Sequence, residues 1–196
     1  MRRRGRKLVL SVLVLAIMGV VAGLPAWAIF SDVFPNGSNE FVAGTVLITD
    51  DDGGIEMFNL SGMKPTDAPV TRCILETYSG SLPARVRMYG TVSGTLASYL
   101  NLTVERGTGG TFGSCGSFSP DPTDYLGSGP GVVYSGTLAA YPINFSTGIV
   151  DPPSGPLESW TTSETHAYRF TVSVQNNPSA QGTSASATFT WQARTP

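Results

Sequence analysis

Glu164 and His166 stand two residues apart, and an imidazole oriented by a carboxylate can activate a serine hydroxyl for nucleophilic attack. The surroundings do not complete such a site. His166 is the sole histidine, no serine lies in a G-x-S-x-G elbow, and H-E-x-x-H is absent. His166 opens an alternating apolar row and therefore reads as a structural histidine. Carboxylates cluster at Asp50-Asp51-Asp52, just before Gly53-Gly54, and again at Asp121 and Asp124. Hard cations such as Ca²⁺ take oxygen ligands, which makes Asp50, Asp51 and Asp52 weak metal candidates. The EF-hand spacing is missing, and Asp and Gly are ordinary turn residues. One histidine and two cysteines exclude a histidine-rich zinc site, a four-cysteine knuckle and an iron–sulfur cluster. Neither a catalytic residue nor a cofactor is expected.

The chain's 196 residues include five basic ones (Arg2, Arg3, Arg4, Arg6, Lys7) ahead of an apolar run from Leu8 to Leu24. Ala26 and Ala28 then supply the small residues of an A-x-A cleavage site. This order of basic, apolar and small-residue regions is that of a secretory signal peptide covering residues 1–28. Processing removes five of the 12 basic residues and none of the 14 acidic ones, leaving a net charge of −7. That sign repels phosphates and argues against a nucleic-acid partner. Neither an LPxTG signal nor a second apolar span follows Trp191, so no stable membrane anchor is expected after processing. Cys73 and Cys115 are the only thiols of a chain read as exported, where oxidising conditions favour pairing. A bond between them would staple a Gly/Ser/Pro-rich loop, residues 108–128, to a strand.

The elements that must carry these residues are strands. His166, Tyr168, Phe170, Val172 and Val174 alternate with mostly polar neighbours, as do Ala185, Ala187, Phe189, Trp191 and Ala193. Asn176 to Gly182, polar and broken by Pro178, separates them as the loop of an antiparallel pair. Ala84, Val86 and Met88 form a third row, and Leu100, Leu102 and Val104 a fourth. Phe41 to Thr49, Ile55 to Leu60 and Val70 to Tyr78 are further strand candidates. Leu138 to Tyr141 suits a single helical turn. Many short strands with turn residues between them specify an all-β, antiparallel β-sandwich. The organisation is a signal peptide (1–28), an N-terminal linker segment (29–40) and a sandwich domain (41–196).

The order of several short segments resembles the TasA/camelysin family of exported bacterial proteins. They are Ala28-Ile29-Phe30-Ser31-Asp32, Ala43-Gly44-Thr45, Leu60 to Asp67, Gly80 to Ala84, Tyr134 to Leu138, Tyr168 to Val172, and Gln181-Gly182 leading into Thr190-Trp191. Pro65-Thr66-Asp67 stands where the family more often has Pro-Gly-Asp. The resemblance implies a jelly-roll-like sandwich, processing by a SipW-type signal peptidase, and a structural role in biofilm fibres or a surface coat. It also implies assembly by self-association into head-to-tail filaments, the N-terminal segment of one subunit completing a sheet of the next. Ile29, Phe30, Val33 and Phe34 would be the anchors of that donor strand, with Pro35 ending it. Two alternatives stay open: a monomeric adhesin or matrix-binding module, and a camelysin-like metalloprotease, for which no zinc motif is present.

Overall fold

The computed structural model describes residues 43–154 and 158–196. The expected signal peptide and the donor segment, including Ala26, Ala28, Ile29, Phe30, Val33 and Phe34, lie outside the described residues. The described residues form nine strands: β1 Ile48–Asp50, β2 Val70–Tyr78, β3 Arg85–Ser93, β4 Leu100–Thr108, β5 Ser119–Pro120, β6 Val132–Thr137, β7 Ile149–Asp151, β8 Glu164–Val174 and β9 Ser186–Arg194. They form two antiparallel sheets. One runs β1-β2-β8-β4-β5, with β6 also pairing with β4, and the other runs β7-β3-β9. The fold is thus an antiparallel β-sandwich. Among the described residues no helix is long and apolar enough to cross a membrane.

Period-two alternation puts one row of each central strand inside. Ile74 and Tyr78 from β2, Tyr168, Phe170 and Val172 from β8, and Leu100, Leu102 and Val104 from β4 face Val86 and Met88 from β3. Burying one such side chain contributes roughly 1.5–3 kcal/mol. The two sheets touch through aromatic rings, with Phe170 and Phe189 centroids 4.6 Å apart and Tyr168 and Trp191 5.3 Å apart. Leu138–Ala140 forms the short turn of helix expected before Pro142.

Three expectations change. β8 and β9 are not a hairpin: β8 pairs with β2 and β4, while β9 pairs with β3 in the opposite sheet. Alternation reports only that both strands bury one face, and here the two buried faces meet each other across the core. Ile55 to Leu60 is not a strand. Its apolar residues break period two, because the adjacent Met57 and Phe58 both lean on the core while Ile55 is 64% exposed. The first strand is also shorter than the span expected up to Thr49. Residues 43–47 continue it irregularly, and Ser79 N–H donates to the Leu47 carbonyl at 2.9 Å.

Candidate functional site

Two regions gather polar groups in ways a simple core does not require. The first is built around Arg106, which follows Leu100, Leu102 and Val104 in phase on the inward face of β4 and is 5% exposed. A guanidinium in that row needs buried partners. It finds Asp151 on β7 (Nε to Oδ1, 3.1 Å), Asp121 (2.5 Å) and Glu158 (2.7 Å). Tyr168 on β8 donates its hydroxyl to Asp151 Oδ2 at 2.7 Å. Burial pushes the Asp151 carboxyl up, against the pull of Arg106 and the Tyr168 hydrogen bond. Burial would lower the Arg106 guanidinium, but Asp151 and its other acidic neighbours outweigh it and hold the charge.

His166 borders this network. Its Nε2 lies 2.9 Å from both Glu164 Oε1 and Arg106 NH2, so a protonated nitrogen donates to the carboxylate and an unprotonated one accepts from the guanidinium. Its ring packs edge-on against Trp160, centroids 4.6 Å apart. Burial works to raise the Glu164 carboxyl, but hydrogen bonds from His166 and the Thr161 backbone bring it below its ordinary value. Glu158, Glu164 and His166 offer ligand atoms all within 4.8 Å of one another, a grouping that could in principle hold a metal ion. Arg106 already stands there. Its NH2 reaches both Glu158 and His166, and a divalent ion would have to displace a cation covalently part of β4. The group therefore does not fit a hydrolytic zinc centre, which needs an open coordination position. What the cluster does do is tie β4, β7, β8 and the 121–125 loop together.

The second region is a cleft of about 640 Å³ between the sheets. Its walls include Ile74 of β2, Val172 of β8, Leu100 of β4, and Ala187, Phe189 and Trp191 of β9. The irregular segment Gly54 to Leu60 borders it, and Asp50 and Asp52 are among its lining residues. Among the described residues β9 pairs only with β3 and β1 only with β2, so both strands flanking the cleft are sheet edges. An edge presents unpaired N–H and C=O groups, which makes the cleft a place where an added strand gains both hydrogen bonds and apolar contact.

The three aspartates divide by role. Asp51 is a structural acceptor, taking Leu75 N–H at Oδ1 (2.8 Å) and Phe112 N–H at Oδ2 (2.7 Å). Asp52 caps its own turn by accepting from Gly54 N–H at 2.5 Å. Asp50 sits directly opposite Glu76 in the β1–β2 register, which puts both side chains on the same face of the sheet, Asp50 exposed at its edge and Glu76 buried. Glu76 is 2% exposed, and its Oε1 has no hydrogen-bond partner among the described residues. Burial first, and then the charges of Asp50, Asp51 and Asp52, push its carboxyl up to about 8. The second acidic pair also separates: Asp121 binds Arg106, and Asp124 accepts from Ser128 N–H at 2.9 Å.

Cys73 and Cys115 are joined, with Cα atoms 5.4 Å apart. The bond fits an oxidising, extracellular environment. It presses the 109–118 loop onto the outer face of the larger sheet, where Cys73 and Ala167 are both 0% exposed. A Cβ on Gly110 would stand 3.2 Å from Cys73 Cβ, so the close approach favours glycine there. Phe118 lies against Arg169, whose guanidinium carbon is 4.6 Å from the ring centre, and Arg169 forms a two-pronged pair with Glu105 at 2.6 Å for each contact.

Sequence reasoning passed over Arg106 and Glu76, although a signal for both was present. Each is a charged residue in phase with an apolar strand row, and such a residue must be paired, neutralised or used. The chain matches no protein-family model and no curated protein.

Proposed function

We propose that the protein is a structural subunit of an extracellular matrix fibre or surface coat, assembled by donation of the 29–34 segment of one copy to the next. The observation that carries this reading is the cleft, apolar along Ile74, Val172, Phe189 and Trp191, flanked by the free edges of β9 and β1. A groove beside an unpaired strand leaves backbone donors, acceptors and apolar side chains open to an added segment. An incoming strand buries alternate side chains in the groove and completes the ladder on an edge. Donation of this kind is heterologous, so unless the rotation closes a ring it propagates as a filament. The disulfide-stapled loop and the Arg106 network make the accepting sandwich rigid, which lowers the ordering cost of each added subunit. The Arg106 guanidinium within the Glu158, Glu164 and His166 group favours a structural role for that cluster over a hydrolytic one.

The test is assembly of the chain beginning at Ile29, followed by light scattering and negative-stain electron microscopy. Filaments are expected from this chain and not from one beginning at Pro35, which should remain a folded monomer. A mature chain that stays monomeric at high concentration removes the reading. One observation favours a second reading as a matrix-binding module: Arg87 and Arg194 flank the Phe145 ring, at 5.2 and 3.9 Å from its centre. Retention on an anionic matrix polymer by a non-assembling chain would support it.

A further inference from the structure

The outer face of the β7-β3-β9 sheet gathers positive charge that nothing on it balances. Arg85 and Arg87 of β3 alternate with the buried Val86 and Met88, so both point away from the core. Arg194 of β9 stands directly opposite Arg85 in the ladder, and Gln192 directly opposite Arg87. Like charges directly opposite each other destabilise a strand pair, so the Arg85–Arg194 juxtaposition is a cost that an anion would relieve. The chain holds 14 acidic residues, yet none of these three arginines forms an ion pair among the described residues, whereas Arg106 and Arg169 both do. The one acidic residue on the strands of this sheet, Asp151, is buried and bound to Arg106.

The guanidinium groups are also held in place. Arg87 donates from NH1 to the Phe145 and Ser146 carbonyls at 3.1 and 3.0 Å, and Arg194 stacks on the same Phe145 ring at 3.9 Å. Gln192 Oε1 accepts from the Tyr89 hydroxyl at 3.1 Å and from Arg194 NH2 at 3.4 Å. A guanidinium stacked by its face keeps in-plane N–H donors free, the fork that matches a carboxylate, and has little freedom left to lose on binding. Tyr89, Thr91 and Thr190 add hydroxyls on the same face. We propose that this face binds an acidic polysaccharide, the arginines taking uronate carboxylates and the hydroxyls the sugar rings. The proposal rests on the matrix-binding reading above and names its surface and its ligand. None of the three arginines lines the cleft, so the same subunit can bind polymer and accept a strand. Duplex DNA is the competing polyanion, with one charge about every 1.7 Å. After Lys7 the acidic residues outnumber the basic ones 14 to seven, and such a chain repels so dense a charge everywhere but here. Carboxylates spaced on separate sugar rings suit a patch of three arginines better.

The test measures binding of the chain beginning at Ile29, kept below its assembly concentration, to immobilised alginate, neutral dextran and duplex DNA. Binding to alginate and not to dextran is expected, and it should weaken as salt rises. Arg87→Gln with Arg194→Gln should lower the affinity for alginate at least about tenfold while the monomer melts within a few degrees of the parent. Arg194→Gln alone, which removes no bond to the backbone, should lower it about threefold. Lys64→Gln with Arg72→Gln takes the same positive charge from elsewhere and should bind like the parent. Parent-like binding by the folded Arg87, Arg194 variant overturns the proposal and leaves the matrix-binding reading with another surface. Equal losses from both double variants overturn it in favour of overall charge. Tighter binding to DNA than to alginate at the same salt overturns it in favour of nucleic acid. Filaments lost from the Arg87, Arg194 variant with alginate binding intact would assign the face to a second copy instead. If the parent binds none of the three polymers, the matrix-binding reading fails and the proposal fails with it.

Discussion

Glu76 and Asp50 face each other across the β1–β2 ladder, two acidic side chains on one face of the sheet, with Glu76 only 2% exposed. Opposed like charges destabilise a strand pair, and burial adds to the cost. This arrangement has a definite pH signature. Below about pH 4.5, the ordinary value for this group, the carboxyl is protonated in both the folded and the unfolded chain, and there is no penalty. Between 4.5 and about 8 the unfolded chain gives up the proton and the folded chain keeps it. Stability therefore falls as pH rises, by up to roughly 1.4 kcal/mol per pH unit from this group. Above about 8 both states are ionised and the loss is complete. Glu76→Gln should match the parent near pH 4 and exceed it in stability at pH 8, measured by urea unfolding of the monomer. A variant less stable than the parent at pH 8 contradicts this account.

Arg106 should be the least replaceable charged residue. Arg106→Ala strands Asp151, 1% exposed, without its cation, and breaking such a buried pair costs roughly 3–5 kcal/mol. The double replacement Arg106→Met, Asp151→Leu removes both charges and should recover most of that loss, because Asp121 and Glu158 retain access to water at 16% and 37% side-chain exposure. Chemical denaturation of the two variants and the parent checks the order.

Removing the disulfide should loosen one loop before it unfolds the domain. The bond closes a separation of 42 residues, and chain entropy assigns roughly 4 kcal/mol to a loop of that length. Cys73→Ala with Cys115→Ala should lower stability by about 2–4 kcal/mol. Amide exchange should rise first at residues 109–118 and on β2, while β3 and β9 stay protected. Uniform loss of protection would mean that the loop is not a separable cover.

The strands were legible where one face is apolar and the other polar. β3 and β4 were readable by their rows Val86–Met88 and Leu100–Val104, because period two is a property of the strand itself, and β2 matched the expected span Val70 to Tyr78 although its alternation is poorer. Partnering was not legible. Phe170 and Phe189 have equivalent sequence patterns, and only the packed core shows that they belong to opposite sheets. β6 and β7 are short and carry no clean alternation, so nothing local announced them. The Cys73–Cys115 pairing was readable because no other thiol competes. Arg106 was hidden for a different reason: its partners Asp121, Asp151 and Glu158 come from three separate stretches that only the tertiary fold assembles. The cleft is likewise a product of two sheets and a loop, though its acidic lining residues had a local trace in Asp50-Asp51-Asp52.

Filling the cleft should block assembly without unfolding the acceptor. Ala187 lies on the inward row of β9, lines the cleft and is half-buried, so a larger side chain there grows into open space. Ala187→Trp occupies the volume a donated side chain requires, while the added apolar contact leaves the monomer as stable as the parent or slightly more so. Thr190→Trp serves as the control, because Thr190 has the opposite phase on the same strand and points away from the core. The first variant should raise the critical concentration for assembly by at least about tenfold, equivalent to about 1.4 kcal/mol of lost association energy, and the second should leave it near the parent value. Both monomers should melt within a few degrees of the parent. Parent-like filaments from folded Ala187→Trp would show that the donated strand does not enter this cleft. Filaments lost from both variants would point instead to the outer face of the β7-β3-β9 sheet as the contact between subunits.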